Sequence, residues 1–227
     1  MQPPVETLSL DAGGVLTFPN WERIRETLGR HGLPVAADAV AQSDAPAKFA
    51  VDEALAASAT DAQRGGAYMN LLLDHAGVAW SPARDAALEE LYAYHAEYNL
   101  WEHVPGDVVP ALEQLTAMGL KLVVISNANG RLLRLFDRVG LTRYFHTICD
   151  SHVEGVEKPD PRLFRLVLQR AGARAETTLH VGDLYNVDIV GARNSGLRAV
   201  LLDPADLYGA YDVDRIRTLD ALVARLP

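Results

Sequence analysis

Four groups of polar residues in this chain have side chains suited to binding a cation and an anion together. The groups are Asp11, Ser126 with Asn127, Lys158, and Asp183 with Asp188. Asp11 comes directly after the apolar stretch 5–10 and before Gly13 and Gly14, which is typical of a buried strand that ends in a tight loop. A carboxylate at the exit of such a strand lies where α/β sheets bind their ligands.

The three aspartates, Asp11, Asp183 and Asp188, would repel one another at close range unless a cation lay among them. Together with a main-chain carbonyl they make an oxygen-only set of ligands, which is the kind that Mg²⁺ prefers. Lys158 and the Ser126 hydroxyl could hold the remaining charge of a phosphoryl group. Because an aspartate beside a metal can attack phosphorus and form an aspartyl-phosphate, these residue types favour Mg²⁺-dependent phosphoryl chemistry.

Simpler interpretations exist for each group taken singly. Turn or helix capping could explain the aspartates and the Ser126–Asn127 pair, and a solvated surface position could explain Lys158. Independent capping would not place a suitable group at every one of these positions, so a common site is the favoured interpretation. His180, in contrast, is expected to be a hydrogen-bonded histidine of the core.

The elements that must position these residues alternate between strand and helix from residue 107 onward. The predicted strands are 5–10, 120–125, 146–149, 178–181 and 198–202, and the predicted helices are 107–118, 130–139, 161–171, 187–194 and 214–226. This alternation is typical of a parallel sheet covered by helices on both faces. The polar groups then share the carboxyl edge of one sheet, where such folds carry out chemistry.

Residues 20–100 contain no convincing strand and are predicted to be helical. The predicted helices are 21–31, 36–43, 46–59, 61–74 and 82–98, the last with Ser81 as N-cap and Pro82 at its first position. We therefore expect an α/β core domain of residues 1–17 and 102–227, and an inserted helical domain of residues 18–101. An insertion directly after a loop of catalytic type suggests a cap over the site.

The composition limits the class of protein. The 227 residues are 49% hydrophobic and carry a formal net charge of −9, which argues against a nucleic-acid binder that relies on phosphate contacts. A single cysteine, Cys149, excludes an internal disulfide and favours a reducing compartment. The first residues lack the features of a secretory signal, and no apolar run is long enough to cross a membrane. We expect a cytoplasmic protein that acts on a small molecule, as a monomer or a homodimer.

With these motifs in order, the chain resembles the haloacid dehalogenase (HAD) superfamily, in particular its members with an inserted helical cap of the C1 type. The resemblance is carried by DAGGVLT (11–17), VVISN (123–127), EKPDPRLF (157–164) and HVGDLYNVDIVGARNSG (180–196). Each motif alone is weak, but four in the family's order, each at a predicted strand end or the turn that follows, are specific. The resemblance implies a Rossmann-like core with a parallel sheet flanked by helices, and an all-helical cap.

The resemblance also implies a role for each matching residue at the metal. Asp11 would be the covalent nucleophile and a ligand of Mg²⁺, and the main-chain carbonyl of Gly13 would be a second ligand. Asp183 would coordinate the ion directly. Asp188 would orient the metal shell through water or through Lys158.

The remaining matching residues would bind the transferring group. Ser126 and the neighbouring amide of Asn127 would contact it, and Gly14 in the first loop is also expected to contact substrate. Lys158 would neutralise the nucleophile and the phosphoryl oxygens. The resemblance therefore implies catalytic roles for Asp11, Ser126 and Lys158.

One position departs from the family's pattern. Phosphatases of this family usually have a second aspartate two residues after the nucleophile, which protonates the leaving oxygen and then activates water. Here that position is Gly13, so a contribution of typically about 10²–10⁴-fold from general acid–base catalysis is missing. We therefore expect a phosphohydrolase for a small phosphorylated metabolite with a good leaving group, such as an acyl or aryl phosphate, or one that takes its acid from the cap.

Three other functions stay open at this point. Phosphonoacetaldehyde-type hydrolysis needs a cap lysine for a Schiff base, and Lys48 is the one lysine in the predicted cap, although a single helical lysine is more often solvated. 2-Haloacid dehalogenation needs no metal, but Asp183 and Asp188 would then crowd Asp11. A non-catalytic binding protein that keeps the fold and the Mg²⁺ site is favoured only by Gly13.

Overall fold

The computed structural model describes residues 3–36, 38–55 and 59–226. Within these residues the strands are β1 (Thr7–Leu10), β2 (Lys121–Ser126), β3 (Thr147–Asp150), β4 (Thr178–Gly182), β5 (Arg198–Leu202) and β6 (Asp214–Ile216). The helices are α1 (Trp21–Arg30), α2 (Ala39–Gln42), α3 (Asp44–Ala54), α4 (Asp61–His75), α5 (Pro82–Tyr98), α6 (Val108–Ala117), α7 (Leu132–Val139), α8 (Ser151–Glu154), α9 (Pro161–Ala171), α10 (Val190–Asn194) and α11 (Leu219–Val223). The chain divides into two compact units, one of Met1–Phe18 with Val104–Pro227 and one of Pro19–His103.

The first unit is built on one parallel sheet with the strand order β3-β2-β1-β4-β5-β6. β1 lies between β2 and β4, and its last residue, Leu10, is in register with Val124 on one side and Val181 on the other. The direction of the strand order reverses between β1 and β4, which is where open α/β sheets form a binding crevice at their carboxyl ends. The predicted α/β fold with a parallel sheet and a helical insertion is confirmed.

Both faces of this sheet are covered by apolar side chains. Because neighbouring residues of a strand point to opposite faces, Val124 packs with Leu10 and Phe136 on one face, while Ile125 packs with Phe164 on the other. Burying one such side chain fully contributes about 1.5–3 kcal/mol. This packing holds the strand ends, and therefore the residues that follow them, in fixed register.

The second unit consists of α1–α5, which pack around a core of their own. Leu28, Leu72 and Leu91 are among its fully or almost fully buried side chains. The α5 helix has the predicted bounds, and the Ser81 side chain accepts a hydrogen bond from the Arg84 N–H at its start. None of the helices in the described ranges combines the length and the apolar character that a bilayer crossing would need.

The C-terminal segment differs from its prediction. Residues 214–226 are predicted as one helix, but the structure forms β6 and then α11 there. Ile216 is buried in the core in register with Leu202 of β5, and Arg215 pairs with Asp203 at 2.9 Å. Thr218 then caps α11 by accepting a hydrogen bond from a main-chain N–H. The helix prediction was wrong because strand pairing and the burial of Ile216 outweigh local helical preference.

Smaller differences occur at other helices. The predicted helix 187–194 begins earlier, with a π-helical turn at Tyr185–Ile189, and continues as α10. The predicted helices 36–43 and 46–59 are observed as the shorter α2 and α3, and residues 37 and 56–58 lie outside the described residues. The single-turn helix α8 was not predicted. Its start is capped by the Asp150 side chain, which accepts from the N–H of His152.

Candidate active site

The three predicted metal-binding aspartates come together at the carboxyl edge of the sheet. The N–H of Asp11 donates to the carbonyl of Val181 at 2.9 Å, so the loop after β1 stays in contact with β4. Asp183 follows β4 directly, and Asp188 lies in the π-helical turn after it. One carboxylate oxygen from each of Asp11, Asp183 and Asp188 lies within 4.8 Å of the others.

Lys158 lies between two of these carboxylates. Its Nζ is 2.9 Å from Asp11 Oδ1 and 2.6 Å from Asp188 Oδ1, and the side chain is fully buried. A buried ammonium is stable only with charged or hydrogen-bonded partners. The two carboxylates provide them, so the lysine is part of the site and does not lie at the surface.

Asp11 and Asp188 both pair with Lys158, but their pKa values are shifted in opposite directions. Burial raises the pKa of Asp11 to about 7, because Lys158 only partly offsets burial and because Asp188 and Asp183 add to the rise. Burial opposes ionisation of Asp188 too, but there Lys158 and His180 outweigh burial and hold the pKa below its ordinary value. Burial would lower the pKa of Lys158, yet Asp11 and Asp188 raise it above its ordinary value. At neutral pH the buried pair Lys158–Asp188 is therefore charged, and Asp11 is the group that titrates.

Asp188 also organises the loop that carries Asp183. Its Oδ2 accepts hydrogen bonds from the N–H groups of Asp183 at 3.2 Å and Leu184 at 3.0 Å. The side chain of Asp188 lies so close to Gly182 that a Cβ added there would stand 2.2 Å from its Cγ. π-Helical turns are rare but occur frequently at functional sites, and here the turn places Asp188 against this glycine.

The donor set fits a hard divalent cation. All the side-chain ligands are carboxylate oxygens, as Mg²⁺ prefers, and three carboxylates within 4.8 Å of one another need positive charge nearby. Both oxygens of Asp188 accept hydrogen bonds or an ion pair, so this residue is better placed to orient the site than to bind an ion directly. Asp11 and Asp183 are the side chains that would hold the metal, and the carbonyl of Gly13 stays a predicted ligand.

The residues after β2 reach the site in a way that the motif did not reveal. The Asn127 side chain bonds to the main chain of Lys158: Oδ1 accepts from its N–H at 2.7 Å, and Nδ2 donates to its carbonyl at 3.0 Å. The Ser126 hydroxyl donates to the carbonyl of Asn127 at 3.3 Å. The N–H of Gly14 donates to the carbonyl of Thr17 at 2.8 Å within the first loop. Substrate contacts of Ser126, Asn127 and Gly14 stay predictions.

Ser9 and His180 extend the polar network into the sheet, and no role is predicted for Ser9 from the apolar pattern of its strand. They are register partners on β1 and β4, and the Ser9 hydroxyl lies 2.9 Å from His180 Nδ1. His180 is fully buried, as expected for a core histidine, and its Nε2 lies 3.5 Å from Asp188 Oδ1. Burial lowers the pKa of His180. A serine inside an apolar strand, opposite a histidine in the neighbouring strand, is the sequence signal that could have identified this pair.

Lys48, the candidate for a Schiff base, lies on α3 in the helical unit. Its Nζ is 2.9 Å from Asp44 Oδ2, and the Tyr68 hydroxyl donates to Asp44 Oδ1 at 2.7 Å. A lysine in an ion pair is held as the ammonium form, which has no lone pair to attack a carbonyl. This arrangement gives no support to phosphonoacetaldehyde-type chemistry.

Comparison with proteins of known sequence identifies several relatives. One is a ribulose-1,5-bisphosphate 5-phosphatase of Halopiger xanaduensis, to which the chain is 36% identical over 141 residues, or 60% of this chain and 57% of that protein. The chain is 36% identical to haloacid dehalogenase-like hydrolase domain-containing protein 3 of Danio rerio over 151 residues, or 63% of this chain and 62% of that protein. It is 33% identical over 172 residues to a glyceraldehyde 3-phosphate phosphatase of Methanopyrus kandleri, covering 70% and 72% of the two chains. The matched region is about three fifths of the length of the Danio rerio protein.

Solved structures show the same fold. A HAD hydrolase from Bacillus subtilis bound to magnesium superposes with a TM-score of 0.71 over 99% of both chains at 19% identity. A 2-haloacid dehalogenase from Pseudomonas syringae gives 0.58 at 26% identity, over 98% of this chain and all of the other. A model of the haloacid dehalogenase-like hydrolase family matches residues 5–196. With the fold, the order of its motifs and this match taken together, the chain belongs to the family of haloacid dehalogenase-like hydrolases.

Proposed function

We propose that this protein is a Mg²⁺-dependent phosphohydrolase that forms an aspartyl-phosphate at Asp11. The observation that carries the proposal is the convergence of Asp11, Asp183 and Asp188 within 4.8 Å, with Lys158 bridging two of them. Relatives named as phosphatases of glyceraldehyde 3-phosphate and of ribulose-1,5-bisphosphate support a small phosphorylated metabolite as substrate.

The hydrogen bonds of Asp11 single out one of its oxygens as the nucleophile. Oδ1 accepts from the N–H of Ala12 at 2.7 Å and pairs with Lys158 at 2.9 Å, so Oδ2 is left to attack. In the first step Oδ2 bonds to phosphorus and the leaving oxygen departs with the electron pair of the broken bond. In the second step water attacks phosphorus, the bond to Oδ2 breaks, and Asp11 is regenerated with release of phosphate.

Lys158 serves both steps through its position. Its ammonium stabilises the carboxylate form of Asp11, which is the form able to attack, and it remains charged because Asp188 lies on its other side. Mg²⁺, when bound, would neutralise negative charge on the phosphoryl group and favour ionisation of Asp11. Asp188 holds Lys158 and the Asp183 loop in place during the reaction.

Gly13 determines which leaving groups are tolerated. Without a carboxyl group at this position, the leaving oxygen must depart unprotonated or receive its proton from another part of the molecule. From Gly13 we infer that this chain differs from the relatives named for sugar phosphates and prefers acyl or aryl phosphates, whose leaving groups are stable anions, over alkyl phosphates. We also infer that the helical unit acts as a specificity cap, as its insertion directly after the first loop suggests.

The experiment is a panel of acyl, aryl and alkyl phosphates assayed for phosphate release with Mg²⁺ and with EDTA. The proposal predicts Mg²⁺-dependent turnover that is fastest for the acyl and aryl compounds and is abolished in Asp11→Asn. Turnover that survives in Asp11→Asn would show that the nucleophile is another group.

Dehalogenation is the second candidate, because a 2-haloacid dehalogenase is among the similar structures, at 26% identity. A metal-free mechanism would leave three carboxylates within 4.8 Å of one another, with Lys158 paired to two of them as the nearby positive charge. Chloride release from 2-chloropropionate in EDTA, without phosphatase activity on any compound of the panel, would favour dehalogenation over the phosphatase proposal.

A further inference from the structure

Lys158 occupies a loop, yet its ammonium is held between two carboxylates that follow strands. The loop connects α8 to α9 and makes no strand pairing of its own. A lysine side chain has four rotatable carbon–carbon bonds, and ordering one costs up to about 2 kcal/mol of rotamer entropy. Something must therefore fix the main chain of residue 158 relative to the sheet.

The side chain of Asn127 supplies that link. Asn127 comes directly after β2, which is paired with β1, the strand that leads to Asp11. Its amide accepts from the N–H of Lys158 at 2.7 Å and donates to the carbonyl of the same residue at 3.0 Å. The two bonds use both polar groups of one peptide residue, so they define the orientation of the amide as well as the position of the main chain.

We propose that Asn127 is a positioning residue: its side-chain amide clamps the main chain of Lys158 and so holds the ammonium group between Asp11 and Asp188. This role belongs to the side chain and is separate from any contact of the Asn127 main-chain amide with substrate. The catalytic meaning of the clamp rests on the proposed function, but its structural effect does not.

The clamp can be tested by chemical labelling of lysine, without an activity assay. Lysine occurs only at positions 48, 121 and 158 of the sequence, so the reaction at each one can be followed separately. Acetic anhydride would be pulsed onto the metal-free protein, and acetylation at each lysine would be quantified by mass spectrometry after digestion with a protease that does not cut at lysine. In the wild type we expect Lys158 to be strongly protected, since its side chain is fully buried.

In Asn127→Ala we expect acetylation of Lys158 to rise by about tenfold or more, as expected from the loss of two neutral hydrogen bonds. Lys48 and Lys121 are internal controls and should react as in the wild type, whereas general unfolding would expose all three. Asn127→Asp keeps the size of the side chain and the acceptor for the N–H but removes the donor, so it should also release Lys158.

Asn129→Ala is the matched control, because Asn129 lies in the same loop and its side chain accepts from the N–H of Arg131. It should leave the protection of Lys158 unchanged. The clamp is refuted if Lys158 stays as protected in Asn127→Ala as in the wild type, or if Asn129→Ala releases it equally.

The two proposals fail in different ways. Release of Lys158 in a protein that hydrolyses no phosphate would keep the clamp and remove the proposed function. Phosphatase activity together with a fully protected Lys158 in both Asn127 variants would keep the proposed function and remove the clamp. If both proposals hold, the Asn127→Ala variant also loses at least tenfold in kcat, while Asn129→Ala does not.

Discussion

Replacing Gly13 by aspartate should convert this protein into a faster and less selective phosphatase. The turn that carries Gly13 is held by main-chain hydrogen bonds from Gly14 to Thr17 at 2.8 Å and from Thr17 to Ala12 at 2.9 Å, which a substitution at 13 leaves in place. The positive φ of this turn, 80°, belongs to Gly14 and not to Gly13. An aspartate at 13 therefore meets no left-handed backbone.

The size of the effect follows from what the new carboxyl group can do. General acid–base catalysis contributes typically about 10²–10⁴-fold, which corresponds to about 3–5 kcal/mol of barrier. We expect kcat/KM for an alkyl phosphate to rise by about 10² or more in Gly13→Asp. For a nitrophenyl phosphate, whose leaving group needs no proton, we expect less than about tenfold. A fourth carboxylate near Asp11 would raise the pKa of Asp11 further, so the assay is run with saturating Mg²⁺ across pH 6–9.

Gly13→Asn is the control, since it adds a side chain of the same size that has no acidic proton. The reasoning is refuted if Gly13→Asp gains no activity on the alkyl phosphate at any pH, or if Gly13→Asn gains as much. No gain in Gly13→Asp would mean that the wild type already receives a proton from another group, whereas an equal gain in Gly13→Asn would mean that the gain does not come from an acidic proton.

Three further changes test the electrostatics of the site. The pKa of Asp11 is raised to about 7 in the folded state from about 4 in the unfolded chain. The metal-free protein therefore loses stability as pH rises from about 4 to 7. Urea unfolding in EDTA should show this slope, and Asp11→Asn should flatten it. Lys158→Met leaves two buried carboxylates without their cation, so the free energy of unfolding should fall by about 3–5 kcal/mol at pH 8, and a loss under 1 kcal/mol would contradict the buried ion pair. Gly182→Ala places a Cβ 2.2 Å from Asp188 Cγ, so the free energy of unfolding should fall by about 1–3 kcal/mol. The displaced Asp188 should also weaken Mg²⁺ binding in calorimetry, whereas wild-type affinity would show that Asp188 is not held by this contact.

The sheet and its edge could be predicted because their signals are local. The apolar stretch before Asp11 and the alternation of strands and helices after residue 107 follow from periodicity within short windows. Parallel strands in one sheet then place their carboxyl ends together, so Asp11, Asp183 and Lys158 could be expected at one edge. The structure places carboxylate oxygens of Asp11 and Asp183 within 4.8 Å of each other and Lys158 Nζ 2.9 Å from Asp11.

The features that could not be predicted depend on contacts between distant residues. The side chain of Asn127 bonds to a main chain 31 residues away, and no local pattern distinguishes this role from a helix cap. Complete burial of Lys158 runs against the usual exposure of lysine and requires two carboxylates from different loops. The strand β6 exists because Ile216 is buried beside β5, which a helical pattern in residues 214–226 conceals.

The central claim is that Asp11 takes the phosphoryl group, and it is tested most directly by trapping that intermediate. The protein would be mixed with a radiolabelled acyl phosphate and Mg²⁺, quenched in acid within milliseconds to seconds, and mapped by peptide. Because Gly13 offers no base to activate water, we predict that label accumulates on the peptide that contains Asp11, close to one phosphoryl group per chain, and that none appears in Asp11→Asn. Steady release of phosphate with no label on that peptide, or label that persists in Asp11→Asn, would contradict the account.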